Sequence, residues 1–324
     1  MARVSVVIPS SNRREQLKAT FDSILAQSCQ NYEIVIADDA SSDGTGLFVL
    51  QYLGPDASRA ERVWRDSLHE ETGTRSIQMS RGGIPIRYLY DSTLRGAAAA
   101  RNRAVSASVG EFLAFAEAGD VWAAQKLEVQ LRLLEQQPEV VALLCADQVA
   151  VRSSAAKKRP VAQSVPFEEA LVPPGLAVTG SVVRRATLDW EGPFDENLPS
   201  CEEYDFWLRL VSRFEVCRII GSLQTPVQLP QPGAWNSDRY RVYSMEKAFQ
   251  GGHLNPLQRH RVAEALIDRC ERLSQGYRQR ENVERANFYE RKRKRFVSEV
   301  AKLDVSDPLF ATMKRERGLS SVPA

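Results

Sequence analysis

Apolar positions in the first 150 residues switch between two spacings. "RVSVVIP" (3–9) is an unbroken, β-branched run, which marks a strand buried on both faces. "RREQLKATFDSILAQ" (13–27) then places Leu17, Phe21, Ile24 and Leu25 at helical spacing. "YEIVIADD" (32–39) reads as a second buried strand closed by Asp38 and Asp39, and "SSDGT" as a turn or helix start. A third strand follows at 84–91, a helix at 97–108, a fourth strand at 111–120 and a helix at 123–137. Strands and helices that alternate through short connections predict an α/β fold: a mostly parallel sheet with helices on both faces.

Residues 51–83 interrupt this rhythm with a long polar connection rich in Gly, Pro and Ser. It reads as a lid or as a plain insertion, with one helical turn at most. Later, "VVALLCADQVAV", "LAVTGSVVRR" and "CRIIGSLQTPVQLP" are strand candidates, and 192–214 is a loop running into a helix. From about Asp238 the pattern is helical. Ala263, Leu266, Ile267, Cys270, Leu273 and Tyr277 form one apolar stripe. The expected division is a body at 1–237 and a helical appendage at 238–324, whose stripe would suit a homodimer.

Composition narrows the class. Residues 256–324 hold 16 Lys/Arg against 10 Asp/Glu, a net of +6, which leaves −4 for residues 1–255. Five scattered cysteines without a C-x-x-C pair read as reduced thiols of a cytoplasmic protein. The three histidines lack metal-ligand spacing. No run approaches the roughly 20 apolar residues of a membrane span, and "MARVSVVIPSSNRR" does not read as a signal peptide.

Polar residues gather where the strands end: Ser10 to Arg13 after the first, Asp38 and Asp39 on the second, Glu117 and Asp120 on the fourth. A parallel sheet places these ends on one edge, where such folds bind ligands.

"VSVVIPSSNRREQLKATFDSILAQSCQNYEIVIADDASSDGT" resembles the opening of the family 2 glycosyltransferases, which have the GT-A fold. The shared positions are Pro9, Asn12, Arg13, Gln27, Asp38, Asp39, Ser41, Asp43 and Thr45. "RGAAAARNRAVSASVGEFLAFAEAGDVW" and "GPFDENLPSCEEYDFWLRL" resemble two later blocks, so the likeness spans about residues 3–215. It implies an inverting transferase that takes a sugar from a nucleotide-sugar donor, UDP-linked by preference. The acceptor would be a glycan or lipid-linked glycoconjugate of a bacterial surface polysaccharide. Pro9, Ser11, Asn12 and Arg13 would line the nucleotide pocket, with Asp39 on the base ring. Arg101 would reach the nucleotide or sugar, or else pair with a strand-end carboxylate.

The resemblance also implies a divalent ion, Mg²⁺ or Mn²⁺, on the diphosphate leaving group, because a hard cation on oxygen ligands neutralises the charge that develops there. The family's D-x-D-D is written here Glu117-Ala118-Gly119-Asp120. Glu117 stands for the first acid, while Gly119 removes the usual ligand and shifts that role to Asp120. The family's E-D pair, which supplies the base, is written Glu202-Glu203, with Asp205 two residues on. Between Arg218 and Arg239 there is no Lys, Arg or His to meet a diphosphate, and Gln228, Gln231, Trp235 and Asn236 stand there instead. These departures keep a second reading open, a catalytically degenerate sugar-nucleotide-binding or scaffold partner of an active enzyme. The run Arg291–Arg295 is either a solvated helix face or a contact to an anionic membrane surface, with the protein peripheral at the inner face of the plasma membrane. No nucleic-acid-binding fold surrounds it.

Overall fold

The computed structural model describes residues 2–145, 160–172, 176–220, 224–225 and 234–306, with the side chains of 224–225, 234–236 and 304–306 outside the description. In chain order its elements are β1 (Val4–Ser10), α1 (Arg14–Leu25), β2 (Tyr32–Asp39), α2 (Thr45–Leu53), α3 (Ala60–Asp66), β3 (Leu68–His69), β4 (Thr74–Arg81), β5 (Ile84–Asp91), α4 (Gly96–Ala107), β6 (Phe112–Phe115) and β7 (Val121–Trp122). There follow α5 (Lys126–Gln136), β8 (Val140–Cys145), β9 (Val161–Ser164), α6 (Phe167–Leu171), β10 (Val182–Arg184), α7 (Arg185–Glu191), α8 (Glu202–Arg213), β11 (Glu215–Ile220), β12 (Gln224–Thr225), α9 (Ala234–Gln250), α10 (Pro256–Arg278) and α11 (Val283–Ser306).

A ten-stranded sheet runs in the order β3-β4-β5-β2-β1-β6-β10-β8-β11-β9. β1 pairs in parallel with β2, Val6 opposite Ile34, and with β6, Val6 opposite Ala114. β5 continues the parallel set beside β2. The chain thus leaves β1 on one side and returns on the other, the switch point at which loops diverge and a cleft opens. β1 and β2 are apolar on both faces because helices cover both: Val6, Ile8, Ile34 and Ile36 are fully buried, with Leu17, Phe21 and Ile24 of α1 in the same core.

The predicted α/β class holds, with differences at its edges. The fourth strand stops at Phe115, because the backbone turns at Glu117–Asp120 with Gly119 at φ 101. The polar stretch 51–83 holds α3, the two-residue edge strand β3 and, inside it, β4, antiparallel to β5. β4 escaped the pattern because only Ile77 in it is buried. "LAVTGSVVRR" yields only the three residues of β10. Residues 146–151 of the candidate after β8, and the side chains of Gln228, Gln231, Trp235 and Asn236, lie outside the described residues.

The chain divides into two units. The first comprises Met1–Val165, Ala177–Phe206 and Phe214–Leu229; the second comprises Pro166–Leu176, Trp207–Arg213 and Pro230–Ala324. These bounds differ from a single cut after residue 237, which would fall inside α9. In the second unit, Asn255 caps α10 through a reciprocal pair with Gln258, with Pro256 at the first helical position. The stripe Ala263, Leu266, Cys270, Leu273 and Tyr277 is buried within the single chain, and Ile267 is half-buried. That stripe is therefore packed within the chain itself. No helix among the described residues is long and apolar enough to cross a membrane.

Candidate active site

The loops after β1 and β2 are stitched together by short polar side chains. Asn12 takes a left-handed conformation, φ 52, which Asn tolerates. Its N–H donates to Ser41 Oγ (2.8 Å) and its Oδ1 accepts from the Ser42 N–H (2.8 Å). Ser11 Oγ donates to the Asp39 carbonyl (3.0 Å). Below these loops, Asp38 is buried and accepts from Tyr88 Oη (2.6 Å) and the Ser41 N–H (2.8 Å). Burial pushes its carboxyl above the ordinary range, against those two hydrogen bonds. Asp39, the next residue, accepts instead from the Gly96 N–H (2.9 Å) at the start of α4.

A cavity of about 300 Å³ opens at this edge of the sheet. Pro9, Ser11, Arg13, Asp39, Arg101 and Glu117 line it, joined by Ser10, Gly96, Ala97, Ala100 and Ala118. Asn12 does not, since its side chain is committed to the loop scaffold.

The turn after β6 sorts its two acids. The Gly119 N–H donates to Thr20 Oγ1 (2.7 Å) and the Asp120 N–H to the Glu117 carbonyl (3.0 Å). Asp120 is buried; its Oδ2 accepts from the Glu117 N–H (3.0 Å) and from Thr179 Oγ1. The carboxylate expected to hold metal is therefore turned inward as the staple of the turn, and it is not among the residues that line the cavity. Glu117, stapled by it, faces the cavity.

Arg101 lines the cavity and also pairs with the strand-end carboxylate Glu117. Its side chain is 3 % exposed, and its guanidinium is shared by three carboxylates: Nη1 with Glu202 (2.7 Å), Nη2 with Glu117 (2.7 Å) and with Glu203 (2.6 Å). Burial works against its charge, but Glu203, Glu117 and Glu202 together raise its pKa above the ordinary value. Glu203 Oε2 also accepts from the Val178 N–H (3.0 Å). Burial, opposed by Arg101 but aided by the neighbouring Glu117 and Glu202, pushes the Glu203 carboxyl up to about 7. Asp205 is instead buried in the interior, 1 % exposed, and its backbone N–H donates to the Cys201 carbonyl (3.1 Å). Of the two acids expected at the start of α8, Asp205 is thus covered, while Glu203 joins the Arg101 cluster.

The sequence does not single out Thr20, Val178 or Thr179. No local pattern marks them, because each acts through a partner at least 25 residues away.

Among the described residues, no group of three or more His, Cys, Asp or Glu side chains could hold a metal ion. The carboxylates that line the cavity are Asp39 and Glu117. That donor set does not fit an ion held by protein ligands alone. It does fit an ion bound through one carboxylate and completed by the oxygens of a substrate diphosphate.

A family model described as "Glycosyl transferase family 2" matches residues 5–65 and 72–171. The chain is 25% identical over 258 residues to the UDP-Glc:alpha-D-GlcNAc-diphosphoundecaprenol beta-1,3-glucosyltransferase WfgD of Escherichia coli, covering 79% of this chain and 88% of that protein. It is 33% identical over 131 residues to the putative teichuronic acid biosynthesis glycosyltransferase TuaG of Bacillus subtilis, covering 40% of this chain and 41% of that one. The crystal structure of S. aureus TarS in complex with UDP-GlcNAc superposes with a TM-score of 0.54 at 14% identity, over 91% of this chain and 92% of the other. That likeness shows a shared fold, the GT-A type expected from the sequence.

Proposed function

The chain belongs to glycosyl transferase family 2, and from that premise we propose that it moves a sugar from a UDP-linked donor to a lipid-linked glycan with inversion at the anomeric carbon. The observation that carries this reading is the Arg101 cluster. It ties a cavity-lining acid, Glu117, to an acid at the start of α8, Glu203, through one buried guanidinium. Donor and acceptor chemistry thereby meet within one ion network. The relative that acts on a diphosphoundecaprenol-linked sugar supports the acceptor class, and the teichuronic acid relative supports a bacterial surface polysaccharide as product.

In this reading Asp39 accepts from the base ring, and Pro9, Ser11 and Arg13 line the nucleotide. Glu117 would hold a divalent ion, Mg²⁺ or Mn²⁺, which supplies charge neutralisation to the departing diphosphate. Glu203 takes the proton from the acceptor hydroxyl as the oxygen attacks the sugar on the face opposite the leaving group. Each carboxylate oxygen accepts more than one hydrogen bond, so the bonds from Arg101 and Val178 leave Glu203 able to receive that proton. A carboxyl raised to about 7 is matched to this task near neutral pH. The reaction is placed at the inner face of the plasma membrane, where a lipid-linked acceptor is presented.

The test is transfer from a panel of UDP-sugars to a diphosphoundecaprenol-linked sugar, run with and without Mn²⁺. Product of inverted configuration, formed by wild type and lost in Glu203→Gln, is expected. Equal turnover in the two proteins would sink the assignment of Glu203. No transfer from any UDP-sugar, together with no UDP binding by calorimetry, would sink the donor.

A further inference from the structure

The five consecutive cations of α11 do not act as one run. Lys292 Nζ is 2.5 Å from Glu246 of α9, and Arg293 pairs with Glu290 at 2.9 Å. Those two charges are consumed within the second unit. Arg291, Lys294 and Arg295 make no ion pair among the described residues, and all three are exposed. The flanking acids form their ion pairs with other cations, Glu290 with Arg293 and Glu299 with Lys302 at 2.9 Å, and Lys294 and Arg295 add only through-space attraction to them. One turn before Arg291 stands Phe288, 44 % exposed. Positions 288, 291 and 295 fall at helical spacing and share one face, with 294 at its margin. The fold thus leaves three cations without an ion pair beside Phe288, whose ring centroid lies 5.0 Å from the Nζ of Lys292, one of the two cations that hold the helix in place.

A second aromatic lies nearby. Tyr243 of α9 is 45 % exposed, and it precedes Glu246 by three residues as Phe288 precedes Lys292 by four. The Glu246–Lys292 pair and the Phe249–Phe296 contact (5.5 Å between centroids) bring α9 and α11 together at this point. Tyr243 and Phe288 each stand one turn before the ion pair on their own helix.

An exposed ring costs free energy in water and gains it in the headgroup layer, where aromatic side chains concentrate. Unpaired cations around it are attracted to anionic headgroups by about 1 kcal/mol each. We propose that this face of α11, with Phe288, Arg291, Lys294 and Arg295, docks the chain on a bilayer rich in anionic phospholipid. The inference does not rest on the donor or on Glu203, and it holds whether or not transfer is observed.

The experiment is flotation of the full chain with phosphatidylcholine vesicles, with and without phosphatidylglycerol, at low salt and at about 1 M salt, where the screening length is about 3 Å. Binding is expected only with phosphatidylglycerol and only at low salt. R291Q/K294Q/R295Q is expected to weaken it about 100-fold, from roughly 1 kcal/mol per cation and 1.4 kcal/mol per factor of ten. Phe288→Ser weakens it by a smaller factor and leaves its salt dependence in place. R59Q/R62Q/R65Q, which removes as many cations from α3 and the residue before it, leaves binding unchanged. Circular dichroism and melting of each variant establish that it is folded. The proposal is overturned by absence of binding, by binding that ignores phosphatidylglycerol, or by equal loss in the two triple variants. Tighter capture by a single-stranded RNA than by the vesicles, with the same loss in R291Q/K294Q/R295Q, would reassign the face to nucleic acid and overturn it too.

Discussion

Two strands of this sheet, β2 and β6, lead to a pair of acids at the same edge, and the two pairs are divided differently. At the end of β2 the first acid goes inward: Asp38 accepts from Tyr88 and Ser41, and Asp39 is left at the cavity. At the end of β6 the order reverses: Glu117 takes the cavity and Asp120 goes inward, stapled to the Glu117 N–H and Thr179. In both places one carboxylate shapes the loop and its neighbour lines the cavity. The difference lies in the outward partner. Asp39 faces a backbone N–H of Gly96, a neutral dipole. Glu117 faces a buried guanidinium that also serves Glu202 and Glu203. A change at β2 is therefore felt locally, whereas a change at β6 travels to the start of α8.

The largest expected effect tests that connection at its far end. Glu203→Gln should lower turnover by roughly 10²–10⁴-fold while UDP affinity, read by calorimetry, stays as in wild type. Wild-type rate should rise with pH and level off above about 7, since the base works deprotonated. The same group sets a stability trend of opposite sign. Its folded pKa lies above the ordinary 4.5, so the folded state holds this proton more tightly than the unfolded chain. Its contribution is full below about 4.5 and is lost as pH rises through about 7. Urea titrations across that window should show wild type losing stability relative to Glu203→Gln.

Next comes the shared cation. Arg101→Met leaves three carboxylates together in a buried site and should cost about 3–5 kcal/mol of unfolding free energy. The cost should be larger at pH 8 than at pH 5, because protonation relieves the repulsion. Equal cost at both pH values would break the picture of one guanidinium balancing three acids.

The comparison itself is sharpened by three neutral variants. Asp39→Asn should weaken UDP binding by about 1–2 kcal/mol and leave any ion dependence of binding unchanged. Glu117→Gln should abolish the enhancement of UDP binding by Mn²⁺. Asp120→Asn should do neither: it should cost about 1–3 kcal/mol of stability, as a buried acceptor losing its partners does. If Asp120→Asn removed the ion dependence and Glu117→Gln did not, the two acids of the β6 turn would have to exchange roles. The smallest effect is expected for Gly119→Ala, about 1 kcal/mol of stability, because φ 101 is unfavourable for a residue with a Cβ.

The sequence by itself determined the strand-and-helix alternation, the sheet edge on which Asp39 and Glu117 stand, and the family. Those follow from apolar periodicity and from motifs whose spacing is local. It also put Glu203 at the head of a helix, since first-turn acids are legible in a string of letters. Tertiary structure alone decided which acid of each pair faces the cavity. That depends on partners far along the chain: Tyr88 is 50 residues from Asp38, and Thr179 is 59 from Asp120. It alone turned Asn12 to the Ser41–Ser42 loop, buried Asp205, and packed the apolar stripe of α10 within the chain. It alone divided the cations of α11 into two that pair and three that do not. The physical reason is common to these cases. A buried charge or polar group takes whichever partner the packed fold brings within hydrogen-bond reach, and that partner has no fixed distance along the sequence.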